Sequence, residues 1–532
     1  MEKSEKYFFM LALALLGGFV VTYGYYLIHG ACLIFGDESL QFACFLEQKK
    51  IPILRGGAQR FSPLMSQEFQ LYVSSSLGND TKIILIKVHL FIEMLFFITF
   101  IWLGMRKLSI NRVVILLTCF LALAATPELF YFWGRLEILE TTIVVLWALW
   151  FFCFVSAHNS DKSNYYALAV ISATVAIYMK ETAFILFLPS TLLILAVNFQ
   201  KLSSRAKTYH IMIVVQVIIF FAAYYRSIRH HTEPRYGNWI TADRLEVIYF
   251  YLRNFPIAAI CNVVLITRSA YFLINRQINV NVADMLSLNS LLFVCAYVIL
   301  RMGIGAPYYF LPANVVSCIA LSVYLHEFRK SKLIRKLYNQ TGVNIIVCCI
   351  FLNVPSFIKI SEISKIQKSY QDTKTLLEEL LKLKKSGYVF VTYMPRIECL
   401  DERSFAFYYW GVAETLSRLI AFYSNEFSPK ATFIGRKKFE YVPWCAYAQD
   451  LPYIIIRNDM DISRDQLSNK FLIFDDPLLL GKTLLQHKKI IYLYREIYVE
   501  IPNLNSSKKP FKELPFNTKL YLHETNEELI VS

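Results

Sequence analysis

A chain of 532 residues, 56% hydrophobic and only 18% charged, carries more apolar surface than a soluble globule can bury, since ordinary domains hold about 25% charged and 45–50% apolar residues. The excess is gathered into long uncharged runs, which makes lipid the solvent for much of the chain. A net charge of +15 does not mark a nucleic-acid binder, because the Lys and Arg sit mainly in short loops between those runs and there report topology.

The first run, residues 7–28, is uncharged over about 22 positions, against the roughly 20 that a helix needs to cross hydrocarbon. Tyr23, Tyr25 and Tyr26 close it as an interfacial anchor. A secretory signal would instead have a shorter apolar stretch ending at small residues. Apolar runs set against charged breaks predict about 11 spans, near residues 7–28, 83–104, 113–126, 137–155, 165–179, 183–198, 210–225, 247–267, 286–300, 308–325 and 343–358. Basic residues fall in alternate loops: Lys3 and Lys6; Arg106, Lys107 and Arg112; Lys201, Arg205 and Lys207; Arg329, Lys330, Lys332, Arg335 and Lys336. By the positive-inside tendency these loops are cytoplasmic, and an odd number of spans carries the C-terminal region outside.

Residues 29–82 form a long first exported loop, with helical apolar spacing near 40–48 and 64–77. A structured loop of this length is usually functional, although interfacial helices that cap a bundle would look the same. Residues 1–358 read as the transmembrane domain, and 359–532 as an extracytoplasmic soluble α/β domain. In the latter, a charged amphipathic helix over 363–386 ends at Gly387, a helical segment follows near 404–424, and strand-like runs start at 388, 453, 470 and 490.

Cysteine gives no metal signature, because no CxxC pair occurs. Cys119, Cys153, Cys261, Cys295, Cys318, Cys348 and Cys349 lie in or near apolar runs, where a thiol behaves as a small hydrophobe. Cys32, Cys44, Cys399 and Cys445 could make two disulfides in an exported setting, with the pairing open. His230 and His231 are the only adjacent histidines, and neighbours in sequence do not face one ligand on a helix.

Three sets of residues on the exported side could carry chemistry. Asp37 and Glu38, in FGDES, stand just beyond the first span; a carboxylate near a lipid head group can take a proton from a hydroxyl, whereas an Asp at this place can also simply cap a helix that starts at Ser39. Arg60, Arg135, Lys180, Arg226, Arg229 and Arg235 supply positive charge near span ends. Such groups tend to face a cavity or a partner, and a phosphate held by Arg forks and a Lys point charge would be one. The plainer alternative is snorkelling side chains and local pairs such as Lys180 with Glu181. The third set is aromatic: Tyr131, Phe132 and Trp133 beside Arg135, and Tyr308 and Tyr309 in APYYFLP. Such rings stack on sugars, but they also form interfacial belts.

The acidic pair after the first span, the long amphipathic first loop, an Arg after the third span, the KE pair between the fifth and sixth, and a YYFLPA-like late span together resemble the GT-C superfamily of glycosyltransferases. The resemblance covers residues 1 to about 325. It implies a polytopic α-helical membrane enzyme that uses polyprenyl-phosphate sugars as donors, with Asp37 as the acceptor's base and Glu38 as its neighbour. The segment RFSPLMSQEFQL looks like one seen in bacterial members, which adds Arg60 and Glu68. The donor phosphate would fall to Arg135, Lys180 and Arg226 or Arg235. No WWDYG-type motif of the oligosaccharyltransferase branch occurs, and the C-terminal region resembles no family domain.

The expected activity is an inverting hexosyl or pentosyl transfer to an envelope glycan, lipid or protein. The expected place is a bacterial inner membrane with a periplasmic active site. No resident cofactor is implied, although Asp37, Glu38 and Glu68 could offer oxygen ligands to Mg²⁺ or Mn²⁺. The alternative is a transporter, flippase or polymerase-type protein handling lipid-linked glycans. A transporter would show two related halves and broken midplane helices, whereas the charges here gather at one face.

Overall fold

The computed structural model describes residues 3–33, 42, 45–46, 49–51, 62–124, 133–136, 138–228, 244–275, 280–300 and 307–329; beyond these it describes 370, 374 and seven strands. The chain divides into two compact units. One comprises Met1–Ile28, Gln59–Glu68 and Ile86–Ile363; the other comprises His29–Ala58, Phe69–Leu85 and Ser364–Ser532.

The helices are α1 (Lys3–Ile28), α2 (Asn79–Lys107), α3 (Arg112–Ala124), α4 (Leu139–Ser160), α5 (Ser163–Met179), α6 (Leu188–Asn198), α7 (Ser204–Ile228), α8 (Arg244–Asn254), α9 (Pro256–Asn275), α10 (Val282–Ile299) and α11 (Leu311–Arg329). Among the described residues, eight helices are long and apolar enough to cross a membrane, and α3 and α5 are shorter apolar ones. This is a multi-pass membrane protein. Ten expected spans have helical counterparts, and the expected eleventh, 343–358, lies outside the described residues. The eighth is corrected: instead of one helix over 247–267, α8 stops at Asn254 and α9 restarts at Pro256. Proline has no amide hydrogen to give the preceding turn, but it fits the first position of a new helix.

Helix α3 has 13 residues, about 20 Å at 1.5 Å per residue, which is less than the roughly 30 Å of a hydrocarbon core. Its place explains how so short a helix is tolerated, because 11 of its residues are buried, packed between α1 and α11. The middle of α4 is equally enclosed: Trp147 and Trp150 are buried, Phe151 stacks on Trp147 and Phe154 stacks on Trp150. The Trp150 indole donates to the Tyr209 hydroxyl at 2.7 Å. Gly104 lets α2 approach α4, since a Cβ there would sit 2.7 Å from the Phe151 ring and 3.3 Å from the Phe152 backbone.

Broken backbone inside a bundle needs polar partners. Between a 3-10 turn, Ala183–Leu186, and α6, buried Asn289 of α10 supplies them: its Nδ2 donates to the Leu186 carbonyl at 2.7 Å, and its Oδ1 accepts from the Ser190 amide at 3.1 Å. Helix α10 opens with a capping box of Asn281 and Asp284, which satisfies amides that have no intrahelical partner. Asp284 also accepts two bonds from the Arg268 guanidinium, at 2.7 and 3.0 Å, and one from the Tyr324 hydroxyl at 2.9 Å, tying α9, α10 and α11 together.

Alternating helix directions give the bundle two ends. At one lie the starts of α2, α4 and α11 and the ends of α5 and α10. At the other, the Asn159 amide donates to the Lys107 carbonyl, and Ser203 donates to Asp161 at 2.7 Å.

In the second unit, β1 (Val389–Met394), β2 (Thr432–Phe433), β3 (Tyr453–Arg457), β4 (Lys470–Phe474), β5 (Ile490–Ile491), β6 (Tyr498–Val499) and β7 (Leu520–Glu524) form one mixed sheet. Its order is β2-β3-β1-β4-β7-β5, with β6 on β4. β1 runs parallel to both β3 and β4, pairing Val391 with Ile454 and Leu472, as suits β-branched and aromatic residues. β2 and β7 were not anticipated from sequence, and the helices expected over 363–386 and 404–424 lie outside the described residues apart from helical Tyr370 and Lys374.

The first-loop segments of this unit differ from expectation. Phe42, Phe45 and Leu46 are helical and buried at the expected i, i+3, i+4 spacing. The expected helix over 64–77 is instead a turn, a 3-10 segment Gln67–Phe69 and a short helix Gln70–Ser74. Gln70 is the reason for the change of course, because its side chain accepts from the Ile51 amide at 2.7 Å and donates to the Lys49 carbonyl. The buried Cys32 thiol donates to the Tyr370 carbonyl at 3.4 Å, and Cys44, Cys399 and Cys445 lie outside the described residues.

Candidate functional site

The end of the bundle where α2 and α4 begin holds a buried group of opposite charges. Lys87, two turns into α2 and 1% exposed, donates to the Gly134 carbonyl at 2.6 Å. That bond fixes the chain just before Arg135, which is itself only 7% exposed. The Arg135 carbonyl receives the Ile138 amide at 3.4 Å, closing the turn from which α4 starts. Trp133 packs against Phe97 with ring centroids 5.3 Å apart, so the approach to Arg135 is held from both sides.

In the first turn of α4, Glu140 forms an ion pair with Lys180, and the two side chains are 3% and 7% exposed. Lys180 follows the last residue of α5 in extended backbone, φ −153° and ψ 133°, and this break swings its side chain back over the bundle. Its ammonium also lies over the Tyr309 ring, 4.5 Å from the centroid, an attraction that strengthens where water is excluded. Tyr309 stacks on Tyr297 of α10 at 5.1 Å, with Tyr308 tilted against it at 4.6 Å. The Tyr297 and Thr182 hydroxyls are 3.1 Å apart. Deeper between α2 and α4, Glu93 accepts from Thr142 at 3.3 Å and lies 3.7 Å from the His89 ring.

The strip carrying Glu68 reaches the same end, because the Leu64 amide donates to the Tyr178 carbonyl at the close of α5. Glu68 itself is half-buried in the 3-10 segment.

Of the residues expected from sequence, the structure brings Arg135, Lys180 and the Tyr308–Tyr309 pair to one end of the bundle. Lys180 pairs with Glu140, forty residues away, in addition to any local contact with Glu181. Arg226 is exposed in the last turn of α7 and stays out of the buried group. Asp37, Glu38, Arg60, Arg229 and Arg235 lie outside the described residues. Lys87, Glu93, Glu140, Thr182 and Tyr297 escaped the sequence reading. For Lys87, Glu93 and Glu140 the signal was an ionisable side chain inside or beside an apolar run, as in IILIKVHLFIEMLFF, where burying a charge requires a partner. Among the described residues no three His, Cys, Asp or Glu side chains converge as metal ligands.

Chemically, a buried amine held by a carbonyl, a second held by a carboxylate and an aromatic ring, and a buried arginine at the same end of the bundle make a site suited to an anionic group. The sequence profile of a family described as Dolichyl-phosphate-mannose-protein mannosyltransferase matches residues 69–225, a stretch that contains Lys87, Arg135, Glu140 and Lys180. That family is one of the GT-C glycosyltransferases. No curated protein matches the sequence. Among solved structures, ArnT from Cupriavidus metallidurans bound to undecaprenyl phosphate is similar over 90% of this chain and 96% of that one, at 12% identity and a TM-score of 0.45. Its apo state gives 11% identity, 90% and 95% coverage and a TM-score of 0.48. An oligosaccharyltransferase from Archaeoglobus fulgidus, in complex with Zn and sulfate, gives 13% identity, 88% and 68% coverage and a TM-score of 0.41.

Proposed function

We propose that this chain is a membrane glycosyltransferase of the GT-C type that moves a hexose or pentose from a polyprenyl-phosphate donor to a glycan, lipid or protein acceptor. The observation that carries the reading is the coincidence of the family match over 69–225 with the buried Lys87, Arg135, Glu140 and Lys180 group inside it. The matched family's description names a lipid-phosphate sugar, and a lipid phosphate is the kind of anion that such a group receives.

In this proposal the donor phosphate lies against Arg135 and Lys180, with Lys87 behind them, and Tyr308 and Tyr309 offer a face to the sugar. Asp37 takes the acceptor hydroxyl's proton, assisted by its neighbour Glu38. The oxygen's freed pair then forms the new bond to the anomeric carbon from the face opposite the phosphate, as the old C–O bond breaks and its electrons pass to the departing phosphate. Fixed cations stabilise that developing charge without having to reorganise. The products are the inverted glycoside, the lipid phosphate and a proton on Asp37. Arg60, Glu68, Arg226 and Arg235 are assigned to donor or acceptor contacts. The site faces away from the cytoplasm, in a bacterial inner membrane with residues 359–532 in the periplasm.

The test is sugar release from a panel of polyprenyl-phosphate sugars by the full chain in proteoliposomes. Transfer is expected for one donor class, with loss in Asp37→Asn and in Lys180→Met. Undiminished transfer by a folded Asp37→Asn protein removes Asp37 as the base, and no turnover with any donor removes the enzyme reading.

A further inference from the structure

At the end of the bundle away from the candidate site, two histidines distant in sequence meet. His158 lies in the last turn of α4 and His210 in the second turn of α7, with ring centroids 5.6 Å apart and planes at 60°. The His158 Nδ1 lies 2.9 Å from the Phe154 carbonyl. A carbonyl only accepts, so that nitrogen carries the proton and Nε2 keeps its lone pair. This is the way metal-binding imidazoles are oriented from behind, by a backbone carbonyl on the other nitrogen. His210 is 0% exposed, and neither of its ring nitrogens has a hydrogen-bond partner among the described residues. Buried polar atoms nearly always have one.

The spacing suits a shared ion. Imidazole nitrogens bind zinc-class metals at about 2.0–2.1 Å and the ring centre lies about 1 Å further, so two imidazoles on one tetrahedral ion have centroids about 5 Å apart. The walls are aromatic: Phe154 lies against both rings, Tyr166 against His158 and Tyr209 against His210. The Tyr209 hydroxyl already receives the Trp150 indole. Asp161, which accepts from Ser203, adds negative charge one turn away. His158 is exposed on its outer side, which leaves a path for entry. No third His, Cys, Asp or Glu joins the pair among the described residues, so further positions would fall to water.

We propose that His158 and His210 bind one divalent first-row transition-metal ion of the kind imidazole prefers, such as Zn²⁺, Co²⁺ or Ni²⁺, bridging α4 to α7. Eighteen residues of α4 separate His158 from Glu140, about 27 Å along the helix. The ion is therefore independent of sugar transfer and braces the bundle.

The experiment is Co²⁺ titration of the untagged full chain in detergent, read by visible d–d absorption, followed by Zn²⁺ competition and thermal unfolding with and without Zn²⁺. One Co²⁺ per chain is expected, displaced by Zn²⁺, with Tm raised by Zn²⁺. His158→Gln, at an exposed position that tolerates substitution, is expected to weaken binding by about tenfold or more and to abolish the Zn²⁺-dependent rise in Tm. His210→Gln, scored only for folded protein, is expected to do the same. No saturable metal binding by the wild-type chain, or equal binding by wild type and His158→Gln, overturns the proposal.

Discussion

Removing the Glu140 carboxylate strands a buried ammonium. With the two side chains 3% and 7% exposed, the pair lies outside the surface regime, where an ion pair contributes about 0–1 kcal/mol. Losing one partner of a buried pair costs about 3–5 kcal/mol, whereas replacing both by apolar groups of similar size is often neutral or stabilising. Glu140→Leu is therefore expected to destabilise by that amount, less what the Tyr309 face retains of the Lys180 charge. The double variant Glu140→Leu, Lys180→Met should return close to wild-type stability. Thermal unfolding of the four proteins in one detergent, followed by tryptophan fluorescence, closes the cycle. Donor transfer in proteoliposomes is expected to stay lost in the double variant, since the fold is restored and the cation is not. Additive destabilisation in the double variant would refute the reasoning, because it would mean that the two side chains do not oppose each other in the folded state.

Lys87→Met should leave the fold largely intact but reduce transfer by about a hundredfold, the scale of one lost fixed donor, measured as turnover per folded molecule in vesicles. Arg268→Met leaves Asp284, 4% exposed, without its guanidinium. It should lower stability by about 3 kcal/mol, the low end for a broken buried pair because Arg268 is itself partly exposed, while turnover per folded molecule is unchanged. Gly104→Leu drives a side chain into Phe151 and the backbone at Phe152 and should cost about 1–3 kcal/mol by overpacking, seen as a lower Tm; an unchanged Tm would mean that α2 and α4 are less tightly apposed than described.

The spans were legible because lipid imposes a long apolar run that nothing else in the chain imitates. The course of the chain was less so at Pro256 and across 62–74, where a missing amide hydrogen and the bonding of Gln70 to Ile51 and Lys49 settle local structure. Arg135 and Lys180 could be singled out because they stand at span ends, where a charge is conspicuous. Glu140 and Lys87 show only a charge inside or beside an apolar run, and the case for each depends on a partner about forty residues or more away, Lys180 for one and the Gly134 carbonyl for the other. Hydropathy is a property of neighbours in sequence, and it holds no information about which charge will neutralise which. The same limit hid His158 and His210, each unremarkable in its own helix.

Asn289 carries a demand that few other residues can meet. It must give a proton to the Leu186 carbonyl and take one from the Ser190 amide at the same time, so aspartate lacks the donor, leucine lacks both functions, and glutamine reaches too far. The segment it anchors begins three residues after Lys180, with Thr182 leading into it. A break that looks like a weak point before α6 is thus a fixed joint, and the placement of the Lys180 charge is inherited from an amide on a different helix.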